Sequence, residues 1–292
     1  MSRYARLLLL LIGLALEAFV LPAHAGAQPD TWAPVIVPAA RQLDVRSSIG
    51  GHAYRLFVSV PDFPVPANGF PVLYVLDGNA AFPVAAFLAR GAAGRSEVTG
   101  HVPPIVVGIG YPGDTDFDVP SRRRDYTPGG AQLFLDFIEH EVKPLIAANH
   151  PVDRSRQAIF GHSFGGLFVL HALFKRPGSF STFIASSPSI WWQDKVLLND
   201  LPALQQGGVR PRLQISVGAL EDDPPKGNYP PEMRAMIASR LMIPPARELV
   251  AQLDGESGWA GKVVYHELAG EDHGPAWLPA LSRGMQFFLE QP

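Results

Sequence analysis

The sequence predicts an α/β protein with a doubly wound, mostly parallel central sheet, antiparallel strands on its N-terminal side and helices on both faces. Short, almost wholly apolar runs at 70–76 and 104–110 are typical of strands buried on both faces of a parallel sheet. Strand and helix patterns alternate after these runs. The stretch 44–60 alternates in polarity instead and turns at Gly50-Gly51, which predicts a β-hairpin.

The second half of the chain supplies the remaining elements. A polar loop is predicted at 111–130, and residues 131–148 carry apolar side chains at helical spacing. Strands are predicted at 157–160, 182–186, 213–217 and 263–268, and helices at 165–174, 231–253 and 276–289. The sequence shows no internal repeat or Gly/Ser linker, so residues 26–292 are predicted to form a single domain.

Residues 1–25 have the pattern of a secretory signal peptide. Arg3 and Arg6 precede an apolar run, and Ala23-His24-Ala25 places small residues at the spacing of a cleavage site. Glu17 interrupts the run, which argues against a membrane-spanning helix of about 20 residues, with an uncleaved anchor as the alternative. We therefore expect a periplasmic or secreted protein, cleaved near Ala25, whose mature chain has no integral membrane span.

The composition, with 47% hydrophobic and 17% charged residues, is typical of a packed globular protein. A net charge of −3 gives no indication of nucleic-acid binding. Cysteine is absent, which excludes disulfides, thiolate nucleophiles and thiolate metal sites. The acidic run 221–223 lacks the spacing of an EF-hand calcium loop. Neither a metal nor an organic cofactor is predicted.

The segment Gly161-His162-Ser163-Phe164-Gly165 lies between a predicted strand and a predicted helix. A nucleophile elbow places a serine at such a turn, flanked by glycines because a side chain there would collide with neighbouring backbone. The motif alone is common, but its context predicts Ser163 as the nucleophile of an α/β-hydrolase fold. The alternative is a glycine-rich turn that only packs the helix on the strand.

A serine nucleophile that attacks a carbonyl carbon also needs two N–H groups to hold the developing oxyanion. The helix N-terminus offers the N–H of Phe164, directly after the nucleophile. The second donor usually comes from the loop after an earlier strand, and Asp77-Gly78-Asn79 is in that position. The N–H of Asn79 is therefore predicted as the second donor, with a plain turn as the alternative.

The order serine, acid, histidine in this fold leaves three candidate bases, His171, His266 and His273. The first lies within a predicted helix and the second within a predicted strand. His273 lies in a glycine-bounded loop just past a strand, where catalytic groups are commonly carried, and is the predicted base. Glu221 is the first choice for the acid among residues 221–223, with a solvated acidic turn or a Ser-His dyad as alternatives.

Five segments carry a resemblance to a known family: Val75-Leu76-Asp77-Gly78-Asn79-Ala80-Ala81-Phe82, Arg123-Arg124-Asp125-Tyr126-Thr127-Pro128, Gly161-His162-Ser163-Phe164-Gly165-Gly166-Leu167-Phe168, Ser187-Pro188-Ser189-Ile190-Trp191-Trp192 and Gly270-Glu271-Asp272-His273-Gly274. From about residue 44 to the C-terminus the chain resembles the bacterial putative-esterase family, and within it the periplasmic enterobactin and salmochelin trilactone esterases. The resemblance implies a serine esterase acting on a catecholate siderophore through Ser163 and His273, and a dyad in some members.

The sequence contains cationic and aromatic residues that could bind such a substrate. A ferric tris-catecholate is a trianion with aromatic rings, and guanidinium groups attract such an anion and stack on its rings. Arg122, Arg123 and Arg124 follow a central strand, and Trp191 and Trp192 follow the strand after the nucleophile helix. They are predicted to bind the substrate; the alternatives are a solvated basic turn paired with nearby aspartates, and core packing.

The sequence thus predicts hydrolysis of the ester bonds of a catecholate trilactone siderophore through an acyl-enzyme on Ser163. Relatives that share the elbow and the sheet also include feruloyl and other carboxylesterases, S-formylglutathione hydrolases and acyltransferases. Fold alone does not fix function. A broad-specificity or feruloyl-type carboxylesterase is therefore one alternative. A non-catalytic binding protein that keeps the fold is a second.

Overall fold

The computed structural model describes residues 35–290, apart from 225, 256–258, 260 and 261. The predicted signal peptide therefore lies outside the described residues. From Val37 onwards the chain belongs to one compact unit. Its strands are β1 (Ala40–Arg46), β2 (Ala53–Ser59), β3 (Phe70–Leu76), β4 (Ile105–Gly110), β5 (Val152–His162), β6 (Thr182–Ser186), β7 (Arg212–Gly218) and β8 (Val263–Leu268).

These strands form one sheet in the order β1-β2-β4-β3-β5-β6-β7-β8. The first two strands join antiparallel, and β2 pairs antiparallel with β4. All the other neighbours are parallel. The predicted architecture, a mostly parallel sheet with antiparallel N-terminal strands, is confirmed.

Helices cover both faces of the sheet. They are α1 (Gly78–Ala93), α2 (Ser96–Thr99), α3 (Val119–Tyr126), α4 (Ala131–Phe137), α5 (Lys143–Asn149), α6 (Phe164–Lys175), α7 (Trp192–Lys195), α8 (Leu201–Gln206), α9 (Pro231–Ala238), α10 (Ile243–Asp254) and α11 (Trp277–Leu289). A π-helical segment, Ile138–Val142, joins α4 to α5, and a 3₁₀ segment, Val196–Asp200, joins α7 to α8. Within the described residues, no helix combines the length and the apolar character that crossing a membrane requires.

The alternation of side chains along β3 shows how the sheet separates two hydrophobic layers. Val72, Tyr74 and Leu76 are buried on one face, in a layer that also contains the apolar side chains of α4, α6 and α10. Leu73 and Val75 are buried on the other face with α1 and α11. Burial on both faces explains why the strand is a continuous apolar run in the sequence.

Two predicted helices are interrupted in the structure. The helix expected at 131–148 contains the π segment just before Pro144, whose missing N–H cannot continue the regular hydrogen-bond ladder. The helix expected at 231–253 is two helices, because Pro244 and Pro245 occupy the first turn of α10 and force a new helix start. Five of the described helices were not predicted, namely α1, α2, α3, α7 and α8; of these, α3 lies inside the expected polar loop.

Candidate active site

Ser163 lies at the sharp turn between β5 and α6, with φ 60° and ψ −116°. A non-glycine residue at positive φ is strained and persists only where its surroundings hold it. Its N–H donates to the carbonyl of Ser186 at 2.9 Å, and its own carbonyl accepts from Leu167 at 2.9 Å. The elbow predicted from the sequence is present at the carboxyl edge of the parallel strands.

The glycines around the elbow differ in what they make possible. A Cβ on Gly161 would lie 2.4 Å from the carbonyl oxygen of Gly165, so a side chain there would collide as expected. A Cβ on Gly165 would meet its nearest atoms only at 3.6 Å, an ordinary contact, so the expected collision is wrong for Gly165. The second crowded position is Gly166, where a Cβ would lie 2.7 Å from the Ser186 carbonyl oxygen.

The structure brings together the hydroxyl, imidazole and carboxylate that the sequence predicted. His273 Nε2 lies 3.0 Å from Ser163 Oγ. On the other side of the ring, His273 Nδ1 lies 2.7 Å from Glu221 Oε2. The His273 side chain is 45% exposed, whereas that of Glu221 is fully buried. A relay from a carboxylate through an imidazole to a serine hydroxyl is therefore in place.

Glu221 is distinguished from the two acidic residues that follow it. The carboxylate of Asp222 accepts the N–H of Met242 at 2.7 Å and that of Ile243 at 3.3 Å, and so fixes the start of α10. Asp223 is exposed. Only the geometry of Glu221 is that of a group orienting His273.

Two serines that sequence reasoning did not assign also serve the site. Ser187 Oγ donates to Glu221 Oε1 at 2.5 Å, and the N–H of Gly218 donates to the same oxygen at 2.5 Å. Ser189 Oγ lies 3.5 Å from Ser163 Oγ. The available signal was position: both serines come directly after β6, on the sheet edge that carries the nucleophile.

The two predicted oxyanion donors are helix-start residues. Phe164 is the first residue of α6 and lines the cavity beside Ser163, so its N–H has no partner within the helix. Asn79 is the second residue of α1, and its side chain is tied to Tyr111 by hydrogen bonds of 2.9 and 3.0 Å. Among the described residues that line the cavity, Asn79 does not occur. Its role as the second donor stays a prediction.

The three arginines predicted to form one cationic cluster point to different surroundings. Arg122 is buried and pairs with Asp77, Nε to Oδ1 at 2.7 Å and Nη2 to Oδ2 at 3.1 Å, although it also lines the cavity. Burial opposes its charge, but the Asp77 carboxylate outweighs burial and raises the pKa of Arg122. Arg123 is exposed and lies over the Trp192 ring at 5.5 Å.

Arg124 pairs with its neighbour Asp125 through two hydrogen bonds of 2.7 Å. It is not among the described residues lining the cavity. The expected joint binding site of three arginines is therefore wrong, because successive residues on α3 point about 100° apart and two of the three have carboxylate partners.

The two predicted tryptophans lie in different surroundings. Trp191 lines the cavity beside Ser163, as expected. Trp192 packs edge-on against Phe164 at 5.1 Å between ring centroids and lies against the hydrophobic core. The prediction that Trp192 walls the cavity is corrected: it supports Phe164 from behind.

Sequence reasoning missed a cation that lines the cavity beside Trp191. Arg240 lies in the break between α9 and α10, with its guanidinium carbon 4.6 Å from the centre of the Trp191 ring. In the described part of the chain, no carboxylate forms an ion pair with Arg240. The signal that could have found it is Pro244-Pro245, which predicts the loop that carries it.

These groups surround a cavity of about 340 Å³. A second cavity of about 310 Å³ adjoins it and shares Glu221, Ile237 and Arg240 as walls. Among the described residues there is no cluster of three or more His, Asp or Glu side chains that could hold a metal ion.

Fold and geometry together define a serine hydrolase of the α/β-hydrolase type. The family model described as putative esterase matches residues 47–288. The chain therefore belongs to the putative esterase family and is a carboxylic ester hydrolase.

The similarity to known proteins extends over nearly the whole chain. The siderophore triacetylfusarinine C esterase of Aspergillus fumigatus is 36% identical over 288 residues, covering 89% of this chain and 97% of that protein. The ferri-bacillibactin esterase BesA of Bacillus subtilis is 33% identical over 276 residues, covering 87% and 90%. Among solved structures, the siderophore hydrolase EstB from Aspergillus nidulans matches with a TM-score of 0.77 and 35% identity, covering 88% and 98%.

Proposed function

We propose that this esterase hydrolyses the ester bonds of a siderophore, most specifically a catecholate trilactone of the enterobactin or salmochelin type. The observation that carries the catalytic part is the chain of contacts from Glu221 through His273 to Ser163, at 2.7 and 3.0 Å. The choice of a siderophore as the substrate is supported by the names of the relatives, which specify triacetylfusarinine C, bacillibactin, enterobactin and salmochelin.

The chemistry is acyl transfer to water. His273 Nε2 takes the Ser163 proton as Oγ attacks the ester carbonyl carbon, and the same proton passes to the alkoxide that leaves. Glu221 stabilises the imidazolium that forms between these steps. Water then attacks the acyl-enzyme with His273 again as base, which releases the acid and restores Ser163. The N–H groups of Phe164 and Asn79 hold the oxyanion, and one such donor is worth about 3 kcal/mol in the barrier.

The side chains that line the cavity are suited to an anionic, aromatic ligand. Trp191 offers a flat face, and Arg240 stands over it with no carboxylate partner in the described part of the chain. An aromatic anion bound beside this pair would have both a ring to stack on and a positive charge to attract it. The adjoining cavity behind Arg240 gives room for further arms of a large substrate beyond the ester that is being cut.

We also propose that the protein acts outside the cytoplasm, in the periplasm or after secretion. The support is the charged, apolar and small-residue pattern of residues 1–25. N-terminal sequencing of the protein from cell fractions would give a mature start near residue 26. An intact Met1 on a membrane-bound protein would indicate an uncleaved anchor instead.

The substrate is tested by mass spectrometry of products. Purified protein is incubated with enterobactin and triacetylfusarinine C, each with and without iron, beside p-nitrophenyl butyrate and methyl ferulate. We expect linear products from the trilactone, at a kcat/KM well above those of the simple esters, and none with Ser163→Ala.

Two results would overturn the proposal in different ways. Rapid cleavage of the simple esters with an intact trilactone would indicate a general or feruloyl-type carboxylesterase. A wild-type protein whose Ser163 is not labelled by a fluorophosphonate, and which cleaves none of the esters, would be a binding protein on this fold.

A further inference from the structure

A second imidazole lies directly beside the His273 ring. His162 is the last residue of β5, and its ring centroid is 4.8 Å from that of His273, with the planes inclined by 39°. The residue is only 9% exposed. On its other side, Nδ1 lies 3.0 Å from the hydroxyl of Ser186, at the end of β6. His162 therefore stands between the sheet and the catalytic imidazole.

The position of His273 makes such a support useful. Its loop lies on the surface, and residues 272–275 are exposed. Main-chain hydrogen bonds hold the loop on either side, from Leu220 to the Glu271 carbonyl at 3.0 Å and from Ala276 to the Asp272 carbonyl at 3.2 Å. These bonds fix the path of the chain, whereas the rotation of the ring depends on what the ring touches. The His162 ring, whose centroid is 4.8 Å away, is a neighbour that limits that rotation.

The main chain of His162 is anchored from below. Its carbonyl oxygen accepts a hydrogen bond from Arg122 Nη2 at 3.3 Å, and Arg122 is held by the buried carboxylate of Asp77. Asp77 precedes α1 in the loop predicted to supply the second oxyanion donor. His162 thus lies where the nucleophile turn, the oxyanion loop and the loop of the base meet.

The charge state of the His162 ring fits its position beside the His273 ring. Burial, followed by the nearby His273 and Arg122, holds the pKa of His162 well below its usual value. A neutral ring packs against His273 without repelling the imidazolium that forms during catalysis.

We propose that His162 is a positioning residue, whose ring, fixed by the hydroxyl of Ser186, holds the His273 imidazole in the orientation that reaches Ser163. The proposal rests on the Ser163-His273 chemistry above and not on the identity of the siderophore. A residue that acts only on the geometry of the base changes kcat and leaves the binding of a small ester nearly untouched.

The test compares His162→Asn with His162→Gln, Ser186→Ala and a matched control, His171→Asn. His171 is also a buried histidine, but it lies within α6 and outside the cavity walls. Each variant is assayed for kcat and KM with p-nitrophenyl butyrate, for the rate of Ser163 labelling by a fluorophosphonate, and for Tm.

We expect His162→Asn to lower kcat about tenfold or more with KM within about twofold, and to slow labelling in parallel. His162→Gln should recover part of the loss, since its longer side chain fills more of the space that the ring occupies beside His273. Ser186→Ala should give a smaller loss that is not additive with His162→Asn, as expected of residues acting through one contact. His171→Asn should keep kcat at a comparable fall in Tm.

The proposal is overturned if His162→Asn and the control have the same kcat, or if KM rises while kcat is kept. Additive losses from Ser186→Ala and His162→Asn would also count against it. None of these results depends on siderophore cleavage, and a wild-type protein that neither cleaves the ester nor reacts with the probe would instead reject the proposed function.

Discussion

Oε2 of Glu221 lies 2.7 Å from Nδ1 of His273, although the two residues follow different strands, β7 and β8. The other carboxylate oxygen is occupied by Ser187 and by the N–H of Gly218. Because the Glu221 side chain is fully buried, its charge is screened little by solvent and acts on the imidazole at short range. The pair is therefore arranged to orient His273 and to stabilise the imidazolium that forms when Ser163 gives up its proton.

Replacing the carboxylate should reduce catalysis strongly. In Glu221→Gln the amide cannot stabilise the imidazolium, and it favours the wrong tautomer of His273, so kcat should fall by about a hundredfold or more. The measurement is the steady-state rate with p-nitrophenyl butyrate, with Asp223→Asn as the control. A loss below about threefold would show that a Ser-His dyad suffices in this protein.

Removing the hydroxyl that holds this carboxylate should have a smaller effect of the same kind. Ser187→Ala leaves Oε1 of a buried carboxylate with one donor fewer, at a cost of about 1–3 kcal/mol. We expect lower stability in urea and a kcat reduced about tenfold with little change in KM. Unchanged kcat together with an unchanged unfolding midpoint would mean that the Gly218 N–H alone holds Glu221.

Arg240 should govern the affinity for anionic substrates. Arg240→Ala should raise KM about tenfold or more for an ester that carries a negative charge, while Arg240→Lys should recover part of the charge attraction but not the planar stacking. Both variants should leave the KM for neutral p-nitrophenyl butyrate within about twofold. Equal changes in KM for the charged and neutral esters would show that Arg240 shapes the cavity without recognising the charge of the substrate.

Alanine substitutions at two elbow glycines should have opposite outcomes. Gly161→Ala would place a Cβ 2.4 Å from the Gly165 carbonyl, so we expect insoluble or inactive protein. Gly165→Ala meets only ordinary contacts and lies in the first turn of α6, so it should fold with a Tm near that of the wild type. Soluble expression, Tm and fluorophosphonate labelling check both variants, and similar behaviour of the two would contradict the collision.

Acid should destabilise the fold through its buried histidines. Burial, followed by the nearby charge of Lys175, lowers the pKa of His171 from 6.5 to about 4. The unfolded chain binds this proton more readily, so the stabilisation is complete above pH 6.5 and is lost as the pH falls towards 4, by roughly 2 kcal/mol at pH 4.5. His162 acts in the same direction.

Urea unfolding at pH 7.5 and 4.5 measures this effect. The loss of unfolding free energy between the two pH values should be roughly 2 kcal/mol smaller in His171→Asn, which has no group to titrate in this range. If the variant and the wild type lost the same free energy of unfolding, His171 would bind its proton as readily in the folded protein at pH 4.5 as in the unfolded chain.

Local patterns were enough to predict the sheet, the elbow and the regions that contain six of the eleven helices that the structure describes. Strands buried on both faces are continuous apolar runs, as at 70–76, and a glycine-flanked serine between strand and helix has few other uses. The missed helix α1 contains Pro83 and several alanines, without clear polar periodicity. The break after α9 was predictable from Pro244-Pro245, but the long apolar pattern around it was interpreted as a single helix.

The amino-acid order therefore established which chemical groups this protein has and along which edge of the sheet they lie, since the carboxyl ends of parallel strands share one edge. Tertiary packing decided which of them meet. It selected Glu221 from three consecutive acids, paired Arg122 with the buried Asp77, and placed Arg240 over Trp191. The reason is that side-chain direction and burial depend on contacts between residues far apart in the chain, which local spacing does not encode.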